Sequence, residues 1–128
     1  MEEISTAYVY LSISGKKLDF DEFSKKAEVL PTKSGEDRFG EKFIEYRIEA
    51  KDSNEGLDQS LELLANNLAP KSKRISKYIY QKNLYAKVFI VLGHKYDEDI
   101  GVFFSSRFIK FLFEIGAEVE IDAYKVDQ

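Results

Sequence analysis

Cysteine and tryptophan are absent from this chain of 128 residues; histidine occurs once and proline twice. Without cysteine there can be no disulfide, thiolate metal site, iron–sulfur cluster or cysteine nucleophile. The single histidine, His94, cannot supply a multi-histidine metal centre, and a Ser-His-Asp triad would have to be built around it alone. Long hydrophobic runs are missing too: the longest, Val88 to Leu92, is far too short to span a bilayer. Met1 to Thr6 is acidic, with Glu2 and Glu3, and lacks the basic start and apolar stretch of a signal peptide. These absences lead to the expectation of a cytoplasmic protein with no membrane segment, metal or cofactor.

Acidic side chains outnumber basic ones by 23 to 19, a formal net charge of −4. That balance counts against generic nucleic-acid binding, which rests on neutralising phosphates. It suits a basic protein partner, although solubility alone would require no more. What the chain does have is apolar and aromatic material. It is 44% hydrophobic with 10 Phe and 8 Tyr, and its length fits one domain, residues 1–128, able to bury its own core.

Thr6 to Ser14 alternates, with Ala7, Val9, Leu11 and Ile13 on one face and Tyr8, Tyr10, Ser12 and Ser14 on the other, the pattern of a half-buried strand. Asp19 with Glu22 has capping-box spacing, flanked by a Leu18–Phe23 staple, and the helix it opens should end near Val29 and Leu30, before Pro31. Residues 31–42 read as a long polar loop. Phe43 to Lys51 alternates again, with Ile44, Tyr46, Ile48 and Ala50 inward. Leu57, Leu61, Leu64, Ala65 and Leu68 form a helical stripe, Pro70 interrupts it, and Ile75, Tyr78 and Ile79 resume it.

Leu84 to Leu92 is apolar on both faces and reads as the central strand. Residues 93–99 read as a hairpin to a short strand over 100–104. Ser105 or Ser106 can cap a helix that is apolar nearly all round and so expected to be deeply buried, and Gly116 ends it. Ala117 to Lys125 closes the chain as a strand with Val119 and Ile121 inward. The resulting order, β-α-β-α-α-β-β-α-β, predicts an α+β domain. Its five-stranded sheet is mixed or mostly antiparallel, with helices packed on one face. Leu11, Ile13, Ile48, Val88, Ile90, Leu112, Ile115, Val119 and Ile121 are the expected core.

Two segments carry a family resemblance. One is Y-V-Y-L-S-I-S-G-K-K-L-D-F-D-E-F, Tyr8 to Phe23, leading into L-P-T-K, Leu30 to Lys33. The other is V-F-F-S-S-R-F-I-K-F-L-F-E-I-G-A-E-V-E-I-D-A-Y, Val102 to Tyr124. Together they resemble a family of small bacterial proteins known as a domain of unknown function. The resemblance implies a fold and a bacterial setting, but no activity and no catalytic residues.

Four features could carry chemistry. His94 lies beside Asp97, Glu98 and Asp99, but the EF-hand glycine and bidentate acid are missing, so a solvated turn is the simpler reading. Lys33, Ser34 and Arg38 in the 31–42 loop have donors for an anion, without the strand-to-helix context of a P-loop. Lys71, Lys73, Arg74, Lys77 and Lys82, with Tyr78 and Tyr80 interleaved, could hold nucleic acid, yet fit the solvated face of a helix.

The fourth is the polar face of the sheet. Glu118, Glu120, Asp122 and Tyr124 share one side of the last strand, Glu45, Arg47 and Glu49 one side of the second, and Tyr8 and Tyr10 one side of the first. If those strands are neighbours, tyrosines that anchor and acids that select a basic counterpart share a surface. The expectation is a non-enzymatic protein-binding domain of the immunity type, neutralising a toxin domain. A small-ligand or anion-binding regulatory domain using the 31–42 loop is the alternative.

Overall fold

The computed structural model describes residues 6–49, 55–94 and 101–125. In chain order they form β1 (Thr6–Gly15), α1 (Phe20–Ala27), β2 (Lys33–Glu36), β3 (Lys42–Glu49), α2 (Glu55–Leu68), a 3-10 turn (Ala69–Lys71), α3 (Ser72–Lys82), β4 (Tyr85–His94), α4 (Ser106–Ile115) and β5 (Glu118–Lys125). The fold is α+β: a five-stranded mixed sheet in the order β2-β3-β1-β4-β5, covered by helices on one face. Three pairings are antiparallel; β4 and β5 run parallel, joined through α4.

The alternation in β1 decides which face is covered. Ala7, Val9, Leu11 and Ile13 are buried, and the register sets Val9 between Ile48 and Ile90, and Ile13 between Ile44 and Ala86. Against this face α2 packs on β1 and β3, while α3 lies between α1 and α4. Leu57, Leu61, Leu64, Ala65 and Leu68 of α2, Ile75 and Tyr78 of α3, and Phe108, Phe111 and Ile115 of α4 complete the core. Burying a Leu or Phe side chain contributes roughly 1.5–3 kcal/mol, so this shared core dominates stability.

The caps follow the sequence in part. Asp19 Oδ1 accepts from the Glu22 amide at 2.8 Å, as its spacing requires. The Glu22 carboxylate does not reciprocate; it binds the Tyr78 hydroxyl at 3.0 Å and Lys82 at 3.0 Å. α1 ends at Ala27, short of Val29, because Glu28 takes a left-handed conformation at φ 58°. Of the two serines before α4, Ser105 is the cap, accepting from the Phe108 amide at 3.1 Å, and Gly116 closes the helix at φ 69°.

Several expectations are corrected. The 31–42 segment is a hairpin arm: β2 pairs with β3, and Asp37 Oδ1 closes the turn by accepting from the Phe39 and Glu41 amides. The strand expected over 100–104 is absent from 101–104; there Val102 and Phe104 pack against the core as a lead-in to α4. The expected hairpin over 95–99 lies outside the described residues, while His94 itself is the last residue of β4. The centre of the sheet is β1, with β4 one place further out.

α4 is not buried all round, since Phe113 is 86% and Ile109 52% exposed. Among the expected core residues Leu11, Ile13, Val88, Ile90 and Ile115 are buried, and Ile48, Leu112 and Val119 pack at its margin. Ile121 is left out, 47% exposed on the edge strand.

Candidate functional site

The uncovered face of the sheet gathers the residues that the alternation singled out. Their order across the strands follows from register. Arg47 of β3, Tyr10 of β1, Phe89 of β4 and Glu120 of β5 form one cross-strand row. Beside it Tyr8, Val91 and Asp122 form a second row, which Glu49 joins by backbone register. On the other side Glu45, Ser12, Lys87 and Glu118 form a third. β1 and β3 are direct neighbours, as the shared surface requires, whereas β5 is separated from β1 by β4.

The centre is aromatic. The Tyr10 and Phe89 rings stack with centroids 4.9 Å apart, and Tyr8 stacks on Tyr10 at 6.1 Å. The Arg47 guanidinium lies over the Tyr8 ring at 4.0 Å and near the Tyr10 ring at 5.7 Å. A cation held this way contributes about 0.5–1 kcal/mol at an exposed site, and it fixes the ring faces more than the fold. On the far side Lys87 Nζ binds Glu120 Oε1 at 3.0 Å and lies over the Phe89 and Tyr85 rings at 5.4 and 5.6 Å.

Carboxylates frame this centre and tune it. Burial pushes the Tyr10 hydroxyl pKa up, reinforced by the charge of Glu45, so the phenol stays protonated. Tyr85 is raised chiefly by its hydrogen bond to Glu118, and Lys87 chiefly by its bond to Glu120. Glu118, Glu120 and Asp122 are all exposed.

β3 is held in place from outside the face. The Thr32 hydroxyl donates to the Glu45 carbonyl at 3.0 Å and accepts from the Arg47 amide at 3.1 Å. Thr32 thereby fixes the β3 backbone at Glu45 and Arg47. In the sequence Thr32 reads only as a loop donor suited to an anion, because Lys-Ser-Gly-Glu gives β2 no strand signal. Tyr85, Lys87, Phe89 and Val91 carry no site signal in the sequence, since a strand apolar on both sides reads as covered on both faces.

Lys33, Ser34 and Arg38 are not drawn together. Lys33 and Ser34 are consecutive in β2 and so point to opposite faces, and the Arg38 guanidinium lies over the Phe39 ring at 5.1 Å in the turn. In the basic segment Tyr78 is buried and Tyr80 is 87% exposed.

Fold and face together define a two-layer α+β domain whose sheet carries an open aromatic surface edged with acids. The chain belongs to the family described as Domain of unknown function (DUF4279), which covers residues 5–126. No curated protein and no solved structure matches it. No described helix is long and apolar enough to cross a membrane.

Proposed function

We propose that this chain is a non-enzymatic domain that binds a basic protein partner on its open sheet face. Its concrete role would be that of a bacterial immunity protein that occludes a cognate toxin domain in the cytoplasm. The observation that carries the reading is the Arg47–Tyr8–Tyr10–Phe89 stack with Glu45, Glu118, Glu120 and Asp122 around it. Aromatic rings already ordered by stacking lose little freedom on binding and serve as anchors, and the surrounding acids select the sign of the partner's charge.

The titration behaviour supports a binding role over catalysis. Tyr10, Tyr78, Tyr85 and Lys87 are all shifted up, and Glu22 and Glu28 are shifted down by their cationic partners. Each moves away from neutrality, whereas a general acid or base is tuned toward it. Carboxylates on an open face also lack the enclosure that raises one of a pair for glycosidase chemistry.

The test is co-expression with the protein encoded immediately upstream. The wild-type chain should restore growth of cells producing that protein, and Tyr10→Ala combined with Asp122→Lys should not. Equal protection by the variant, expressed and folded, would sink the assignment of this face.

A further inference from the structure

The helical layer holds two adjoining grooves whose walls are rich in cations. A groove of about 470 Å³ between α1 and α3 is lined by Lys25, Lys26, Lys73, Arg74 and Lys77, with no carboxylate in its wall. A second, of about 620 Å³ between the start of α3 and α4, is lined by Lys73, Arg107 and Lys110. Its one acid, Glu114, accepts from the buried Ser72 hydroxyl at 3.0 Å. Lys73 belongs to both, so the cations form one stripe across three helices.

Part of that charge is already used. Lys26 pairs with Glu22 at 3.7 Å, Arg74 pairs with Glu28 at 3.6 Å, and Arg107 donates to Asn66 at 2.9 Å. Lys25, Lys73, Lys77 and Lys110 form no ion pair with any described residue. On α3, Lys73, Lys77 and Tyr80 fall within about 60° around the axis, at 100° per residue, opposite the buried Ile75. Tyr80 is 87% exposed there, about one turn beyond Lys77 along α3.

We propose that this stripe binds single-stranded nucleic acid, the four free lysines following phosphates while Tyr80 stacks on a base. A duplex, whose bases are already stacked, offers Tyr80 no such face. The net charge of −4 is a sum over the whole chain and does not describe this stripe. The acids of the sheet face lie across both layers, beyond a Debye length of about 8 Å at physiological salt, so they do little to repel a strand on the helices. The site shares no residue with the sheet face and stands or falls independently of it.

The experiment is fluorescence anisotropy of a short labelled oligo(dT) with the full chain over a salt series. Four phosphate contacts give a slope of log affinity against log salt of about −3, a loss of roughly fifty-fold between about 50 and 200 mM. Lys73→Gln with Lys77→Gln should halve that slope. Tyr80→Ala should weaken binding about fivefold or more, and Tyr80→Phe should retain it. No binding at low salt, or unchanged affinity in the lysine or Tyr80→Ala variants, would overturn the proposal. Competition by inorganic polyphosphate or polyglutamate as effective as that of the oligonucleotide would also overturn it, by showing recognition of charge alone.

Discussion

The Tyr78 hydroxyl donates to Glu22 Oε1 at 3.0 Å and also accepts from the Asp19 amide at 3.2 Å, tying α3 to the first turn of α1. Burial, with the hydrogen bond to the Glu22 carboxylate, pushes the Tyr78 pKa from 10.0 up to about 12. The folded state therefore holds a proton that the unfolded chain releases near pH 10. Its contribution to stability is complete below pH 10 and is lost as pH rises toward about 12. Denaturation midpoints measured across this range should fall, and Tyr78→Phe should flatten the fall while leaving the smaller effects of Tyr10 and Tyr85.

The faces of α4 predict a graded series. Phe108 and Phe111 are buried, Leu112 sits at the core margin, and Phe113 is 86% exposed. Urea unfolding should show Phe108→Ala costing about 3–5 kcal/mol, Leu112→Ala distinctly less, and Phe113→Ala under about 0.5 kcal/mol. Equal losses at 108 and 113 would mean that α4 is not packed by this face.

Two glycines make opposite demands. A Cβ at Gly35 would meet the Phe43 ring at 2.7 Å, whereas one at Gly116 meets nothing within 4 Å but must tolerate φ 69°. Gly116→Ala should therefore cost about 1–2 kcal/mol through backbone strain alone, and Gly116→Asn less. Gly35→Ala should instead displace the ring, visible as shifted Phe43 resonances in NMR spectra.

Charge reversal on β5 separates binding from folding. Asp122→Lys, on an exposed edge, should change stability by no more than about 0.5 kcal/mol. It should slow association with a basic partner, and the deficit should shrink as salt is raised. Stopped-flow association at two salt concentrations provides the measurement; an unchanged rate constant would place the partner elsewhere.

Legibility in the sequence followed locality. β1 could be read because Val9, Leu11 and Ile13 alternate with polar neighbours, and the α4 boundaries could be read because Ser105 and Gly116 are local devices. β2 could not: Lys-Ser-Gly-Glu has no apolar signal, and it becomes a strand only through its register with β3. Val102 to Phe104 has strand-like composition, yet Phe104 packs on Phe108 at 5.4 Å as part of the entry to α4. The candidate site was legible on β1, β3 and β5, where each strand shows one polar face. It was hidden on β4, whose Phe89 and Val91 look like core until the layer order leaves that face uncovered.

Placing β1 at the centre of the sheet has a consequence in time. Val9 pairs with Ile90, so the chain's first strand waits about 80 residues for its second neighbour to be made. At a synthesis rate of about 5–20 residues per second, that wait is roughly 4–16 s. During it α1, α2 and α3 are available to cover the apolar side of β1 and β3 to pair one edge, but the other edge stays free to pair with a neighbouring nascent chain. The interval before β4 emerges is thus when chaperone engagement matters most, and crowded translation on one message is where misassembly should begin.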